Sequence, residues 1–112
     1  MAVQVNFEKE DMYLKDAYLR IKKVMVVDGV RERFEEQENG DLHLKYDKYF
    51  EGNAIVYVYS DKEARDRNVM PAHHFGIEFA YDPNTDTRGV YELAYTALKS
   101  LERFVDEEVV DV

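Results

Sequence analysis

Ala54-Ile55-Val56-Tyr57-Val58-Tyr59 is the stretch on which the fold turns. Its residues are mainly β-branched or aromatic and do not alternate with polar ones. The run therefore reads as a strand covered on both faces, the central strand of a sheet. Glu51-Gly52-Asn53 punctuates the chain just before it. Upstream, Leu42, Leu44 and Tyr46 alternate with His43 and Lys45, the period of a half-buried strand, entered from a tight turn at Asn39-Gly40. Between Asp16 and Val27, Ala17, Leu19 and Ile21 keep one phase while Val24 and Val26 keep the other. A phase flip near Lys22-Lys23 predicts a bulge or a bend. Asp28-Gly29 reads as a second tight turn, with Val30 to Gln37 as the returning hairpin strand. The good helix formers from Arg31 to Gln37 leave a short helix as the other reading of that segment. At the start of the chain Val3, Val5 and Phe7 alternate, and Glu8 to Asp11 is a charged break.

Downstream of the central run, Ser60 to Ala72 is a polar connection in which Pro71 disfavours helix at Met70. A connection of that length without its own structure is often functional. Phe75, Ile77, Phe79 and Tyr81 alternate as a further strand. Asp82-Pro83-Asn84-Thr85-Asp86 is a turn cluster that also offers a helix N-cap at Thr85 or Asp86. Val90, Leu93, Ala94, Ala97, Leu98, Leu101, Phe104 and Val105 then form one apolar stripe at helical spacing. The pattern predicts an amphipathic helix over about 87–105, docked on the strands. Asp106, Glu107 and Glu108 sit at the negative end of its dipole and stop it. Residues 106–112 are left as an acidic tail. The expected fold is α+β: a mainly antiparallel sheet or sandwich with one C-terminal amphipathic helix packed on it. Residues 1–112 read as a single domain, β-rich over 1–82.

The 112 residues are 46% hydrophobic and 13% aromatic, enough for one packed interior and too few for two. Acidic residues outnumber basic ones by 24 to 15, a formal charge of −9. That balance argues against binding nucleic-acid phosphates or anionic lipid, both of which select clustered cations. With no Cys there can be no disulfide, thiolate metal site or cysteine nucleophile. The N-terminal stretch lacks the basic and apolar regions of a signal peptide. The longest apolar runs, Val24 to Val27 and Ala54 to Tyr59, are too short to cross a bilayer.

No constellation carries an enzyme signature. Adjacent His73 and His74 point to opposite faces of a strand, and His43 lies on another, so a metal site is not expected. Glu78 interrupts an apolar strand, but alternation turns it away from Phe75, Ile77 and Phe79 towards solvent or an interface. The two serines, Ser60 and Ser100, lie in no nucleophile elbow, and the five glycines form no phosphate loop. Asp82 to Asp86 lacks the length and closing Glu of a calcium loop. Lys62, Arg65 and Arg67 are interleaved with Asp61, Glu63 and Asp66, a salt-bridged surface segment. Glu35-Glu36 and Glu107-Glu108 read as solvated faces. Only the nine Tyr residues point anywhere, either to a protein interface or to ordinary sheet packing. No catalytic, cofactor-binding or metal-binding residue is assigned.

From Ala54 onward, over about half its length, the chain resembles small proteins encoded among the tail genes of siphophages that infect Gram-positive bacteria. The residues that carry this are Tyr57-Val58-Tyr59, Asp61-Lys62-Glu63-Ala64-Arg65-Asp66, Pro71, the Phe75 to Phe79 strand, Ala94-Tyr95 and Leu98-Lys99. The Asp61 to Asp66 run is the most specific of them, and the N-terminal half matches less distinctly. The resemblance implies a β-rich fold with a helix, akin to the shoulder domain of lactococcal phage receptor-binding proteins. It implies a non-enzymatic tail or baseplate structural or assembly role through protein–protein contacts, in the host cytoplasm during assembly and then in the virion tail. Partners would be other phage structural proteins or further copies of the chain. The acidic charge alone supports a different expectation, a phage-encoded regulatory protein that binds a host factor.

Overall fold

The computed structural model describes residues 1–112. Strands β1 (Val3–Lys9), β2 (Met12–Glu36), β3 (Leu42–Tyr59), β4 (His73–Ala80) and β5 (Val110–Asp111) make one sheet in the order β4-β3-β2-β1-β5. Every pairing is antiparallel. Helix α1 (Lys62–Asp66) follows β3, helix α2 (Val90–Lys99) follows β4, and Glu102–Phe104 is a 3-10 turn. The fold is a β-rich α+β one. Its strands form a single sheet rather than the two of a sandwich.

The phase flip in β2 is a bulge. Ile21 pairs with Val56 and Lys23 with Ile55, leaving Lys22 as an extra residue. Ala17, Leu19 and Ile21 before it, and Val24 after it, can thus serve the same face despite their opposite phases. A second irregularity lies between Val5 and Phe7, opposite Asp16, which takes a positive φ of 52°.

The core lies between the concave face of the sheet and α2. Val3, Val5 and Phe7 from β1, Ala17, Leu19 and Ile21 from β2, and Ala54, Val56 and Val58 from β3 meet Ile77 of β4. Ala94, Tyr95 and Leu98 of α2 and Phe104 of the 3-10 turn close them over. Each large side chain so buried contributes about 1.5–3 kcal/mol against its own ordering entropy. The sheet curls until its two sides touch: the Phe7 and Phe75 rings stack with centroids 6.0 Å apart, although three pairings separate β1 from β4. Arg103 caps that closure, its guanidinium 4.8 Å from the Phe75 centroid and 5.7 Å from that of Phe7.

Tyr95 ties the helix to the sheet. Its hydroxyl donates to the Met1 carbonyl at 2.6 Å and accepts from the Ile21 amide at 3.1 Å. The Ile21 amide has no strand partner on that side, because β1 pairs with β2 only as far as Leu19. Burial pushes the Tyr95 hydroxyl above the ordinary tyrosine range, with the Ile21 hydrogen bond pulling the other way.

Several expectations are corrected. Asp28-Gly29 is not a turn: β2 runs straight through it for 25 residues. Residues Val30 to Glu36 are continuous with the strand before them, and the chain reverses only over Gln37–Asp41, where Gly40 takes φ 87°. The connection after Ser60 holds α1, capped by Asp61, whose Oδ1 accepts from the Ala64 amide at 2.8 Å. The helix expected over about 87–105 is cut to Val90–Lys99, and the chain turns away at Ser100, whose Oγ donates to the Thr96 carbonyl. Neither Thr85 nor Asp86 caps it. Asp86 instead accepts from the Asp82 amide within the turn, and Gly89 occupies the N-cap without a side-chain bond. The tail is not all free, since Val110–Asp111 pairs with β1 and Asp111 bridges to Lys99 at 3.3 Å.

Candidate interaction surface

The β2–β3 hairpin outruns every other strand. On one flank β1 stops pairing at Leu19, and on the other β4 stops at Glu51. Beyond those points Asp28 to Glu36 and Leu42 to Phe50 pair only with each other, nine residues a side. At strand rise this arm is about 30 Å long, and it gives the molecule its 65 × 31 × 25 Å extents. No arm residue belongs to the core cluster.

Cross-strand register fixes the faces of the arm, because directly opposed residues point the same way. One face carries Val26, Val30 and Phe34 from β2 with Leu42, Leu44 and Tyr46 from β3, interspersed with Asp28, Glu32, Glu36 and Lys48. This face continues the one that α2 covers in the body, through Val24 and Ala54. It leaves Phe34 68%, Leu42 64% and Tyr46 63% exposed. The other face pairs Arg31 with Asp47, Arg33 with Lys45 and Glu35 with His43. Arg33 Nε donates to Asp47 at 2.6 Å and its Nη1 to Glu35 at 3.1 Å. Both carboxylates raise the Arg33 pKa. The arm is an amphipathic ribbon with nothing on its apolar side.

At its root, two glycines admit rings where a Cβ would collide. Tyr49 lies over Gly29 and Phe79 over Gly52. The Arg31 guanidinium stacks on Tyr49 at 4.5 Å. Arg31, Tyr49 and Phe79, with Phe50, Glu51, Glu78 and Ala80, line an open cleft of about 440 Å³ where the arm leaves β4. Glu78 is exposed there, beside the arm rather than beside a histidine.

The structure does not gather the other polar candidates into one place. His43 stands near the arm tip, while His73 and His74 pair with Val58 and Tyr57 in the body. His73 packs on Phe7 and Phe75, and Lys9 Nζ lies 3.1 Å from its Nε2. An ammonium only donates, so Nε2 accepts and the ring is neutral with its proton on Nδ1. Burial lowers the His73 pKa, and the charges of Lys9, His74 and Arg103 lower it further. Ser60 is exposed and Ser100 is engaged by its own helix. Arg65 bridges Asp66 at 3.6 Å on the surface. No group of three or more His, Asp or Glu side chains is arranged to hold a metal ion, and no helix is long and apolar enough to cross a membrane. The tyrosines divide: Tyr59 and Tyr95 are buried, Tyr18 and Tyr57 are half-buried with ring centroids 6.4 Å from that of Tyr59, and Tyr13, Tyr46 and Tyr91 are exposed.

Sequence reasoning missed the arm, although a signal was there. Phe34, Val30 and Val26 recede from Asn39-Gly40 in steps of four, and Leu42, Leu44 and Tyr46 in steps of two. Both steps are even, so each set keeps to one face of an extended strand that runs through Asp28-Gly29. Comparison with protein-family models, with curated proteins and with solved structures finds no match for the chain.

Proposed function

We propose that the protein is a non-enzymatic structural or assembly module that works by protein–protein contact, with the β2–β3 arm as its contact surface. The observation that carries this reading is the apolar arm face, a ribbon of exposed Phe, Tyr, Leu and Val with no cover from its own chain. Contiguous exposed apolar patches larger than a few hundred Å², rimmed by polar residues, mark interaction sites. The resemblance carried by Tyr57 to Asp66 and Ala94 to Lys99 supports a place among the tail-region proteins of siphophages. Other phage structural proteins are then its partners, in the host cytoplasm during assembly and in the virion tail.

Co-purification tests the reading. Tagged protein expressed in cells that produce the neighbouring tail proteins should retain at least one of them through a high-salt wash. A Phe34→Glu/Tyr46→Glu variant should lose it while keeping its thermal melt. Mass spectrometry of purified virions should find the chain in tails or in their assembly intermediates. Wild-type protein that captures no tail component, and is missing from virions and intermediates alike, would overturn the proposal.

A further inference from the structure

Resting on the reading of the arm as a contact surface, we infer that its occupant is a second copy of this chain. The two arms stack face to face and antiparallel, Phe34 and Leu44 of each lying over Asp28 and Phe50 of the other.

Area comes first. Weighted by their exposures, Val26, Val30, Phe34, Leu42, Leu44 and Tyr46 present roughly 550 Å² on one arm. Two such faces bury about 1,100 Å² before any flanking polar surface is counted, near the lower bound of a specific interface. The other exposed apolar side chains form smaller groups: Met1 with Tyr91 beside Tyr95, Val69 with Met70, and Met25 with Val27 on the opposite face of β2.

Geometry sets the direction. α2 stands on the same side as the apolar face, because that face is the continuation of the one it covers. Stacked sheets lie about 10 Å apart, and a helix with its side chains fills about that thickness alone. Parallel arms would force two α2 layers into the space of one. Antiparallel arms avoid this, since they carry the two α2 helices to opposite ends of the stack.

Charge narrows the register to those that bring Lys48 of one copy beside a carboxylate of the other, and we take the one that uses Glu32. The apolar face carries three carboxylates, Asp28, Glu32 and Glu36, and one cation, Lys48. Stacking the Val30–Lys48 row of one copy on the Glu32–Tyr46 row of the other sets Lys48 against Tyr46 and beside Glu32 of the second copy. The two-fold axis repeats the contact, giving two ion pairs with a cation–π component at the rim. A register centred on the Val30–Lys48 row would oppose Lys48 to itself.

Sedimentation velocity of the full chain over a concentration series tests this. The wild type should dimerise, and Phe34→Glu/Leu44→Glu should be monomeric with an unchanged melt. Lys48→Glu and Glu32→Lys should each weaken dimerisation about tenfold or more, because each homodimer then sets like charges together twice. An equimolar mixture of those two variants should recover wild-type affinity, since both contacts in the mixed dimer join opposite charges. Rescue between separate chains cannot come from within one arm. A wild type monomeric at every concentration, a dimer indifferent to the Phe34 and Leu44 changes, or a mixture without recovery would each overturn the inference. A monomeric wild type that still retains tail proteins would sink the inference alone and leave the proposed function standing.

Discussion

Replacing Tyr95 with Phe removes one oxygen and two hydrogen bonds. The ring stays, and Tyr95 is only 5% exposed, so apolar burial is almost unchanged. The Ile21 amide loses its only partner on a side that β1 does not reach. An orphaned buried donor costs about 1–3 kcal/mol, and losing the bond to the Met1 carbonyl, which water can partly replace, costs about 0.5–1 kcal/mol more. The expected loss is about 1.5–4 kcal/mol, read as a lower urea midpoint at unchanged slope. Tyr91→Phe, half-exposed one turn earlier, should change nothing measurable. The pH dependence has a definite sign. Burial raises the folded pKa of Tyr95 above its unfolded value, so the stability the hydroxyl supplies is complete below about pH 10 and is lost as pH rises through the folded value. The gap between wild type and Tyr95→Phe should therefore shrink in alkaline urea titrations. A loss under about 0.5 kcal/mol at neutral pH, or a gap that widens with alkalinity, would refute the idea that this hydroxyl fastens α2 to the sheet.

Two further outcomes follow from the packing. Excising Asp28 to Phe50 and closing β2 onto β3 with a two-residue Asn-Gly turn should leave the body folded, with its near-UV circular dichroism retained, because the core cluster contains no residue from that segment; loss of cooperative melting would contradict the division into body and arm. His73 has a folded pKa held below its unfolded one, so its contribution is present above about pH 6.5 and fades as pH falls through the folded value. Thermal melts between about pH 7 and pH 5 should then show a shallower acid decline in His73→Gln than in the wild type, and equal slopes would show that protonating His73 is not resisted.

How much was legible follows from what decides each feature. Strands whose alternation is enforced by a covered face were readable: Val3, Val5 and Phe7 are fully buried, and the opposite phases around Lys22 are reconciled by one extra residue. Phe75, Ile77 and Phe79 likewise turn one face to the core. Asp28-Gly29 misled because turn chemistry is local whereas the position of a reversal is set by pairing. Gly29 is small for another reason, to lie beneath the Tyr49 ring. The helix was overextended because Leu101 and Phe104 keep helical spacing after the helix has ended, and reach the core from a 3-10 turn instead. The period of Leu42, Leu44 and Tyr46 predicts a half-buried strand, but period reports a shared face and not what lies on it. That gap between a face and its cover is where the candidate site was hidden. The body–arm boundary depends on where β1 and β4 stop, and no residue within the hairpin encodes it.

The arm offers two kinds of unsatisfied surface, and they do not invite the same partner. Its edges expose unpaired backbone groups, Asp28 to Glu36 on one side and Leu42 to Phe50 on the other, which could in principle accept another strand. Charge guards both: Arg31, Glu32, Arg33, Glu35 and Glu36 crowd the first, and Lys45, Asp47 and Lys48 the second. A strand laid against either edge would have to match that order of signs residue by residue, with ladder spacing bringing opposed side chains within about 5 Å. The apolar face makes a looser demand, since burial is non-directional and scales with area. Edges closed by charge and a face left open by hydrophobicity select stacking over strand addition. Stacking also ends after one partner, because the opposite face is the ionic one of Arg31, Arg33, Glu35 and Asp47. A ribbon with one apolar face closes as a pair, whereas strand addition on open edges would propagate. An arm built this way can leave its hydrophobic residues uncovered in the free chain without templating a fibre.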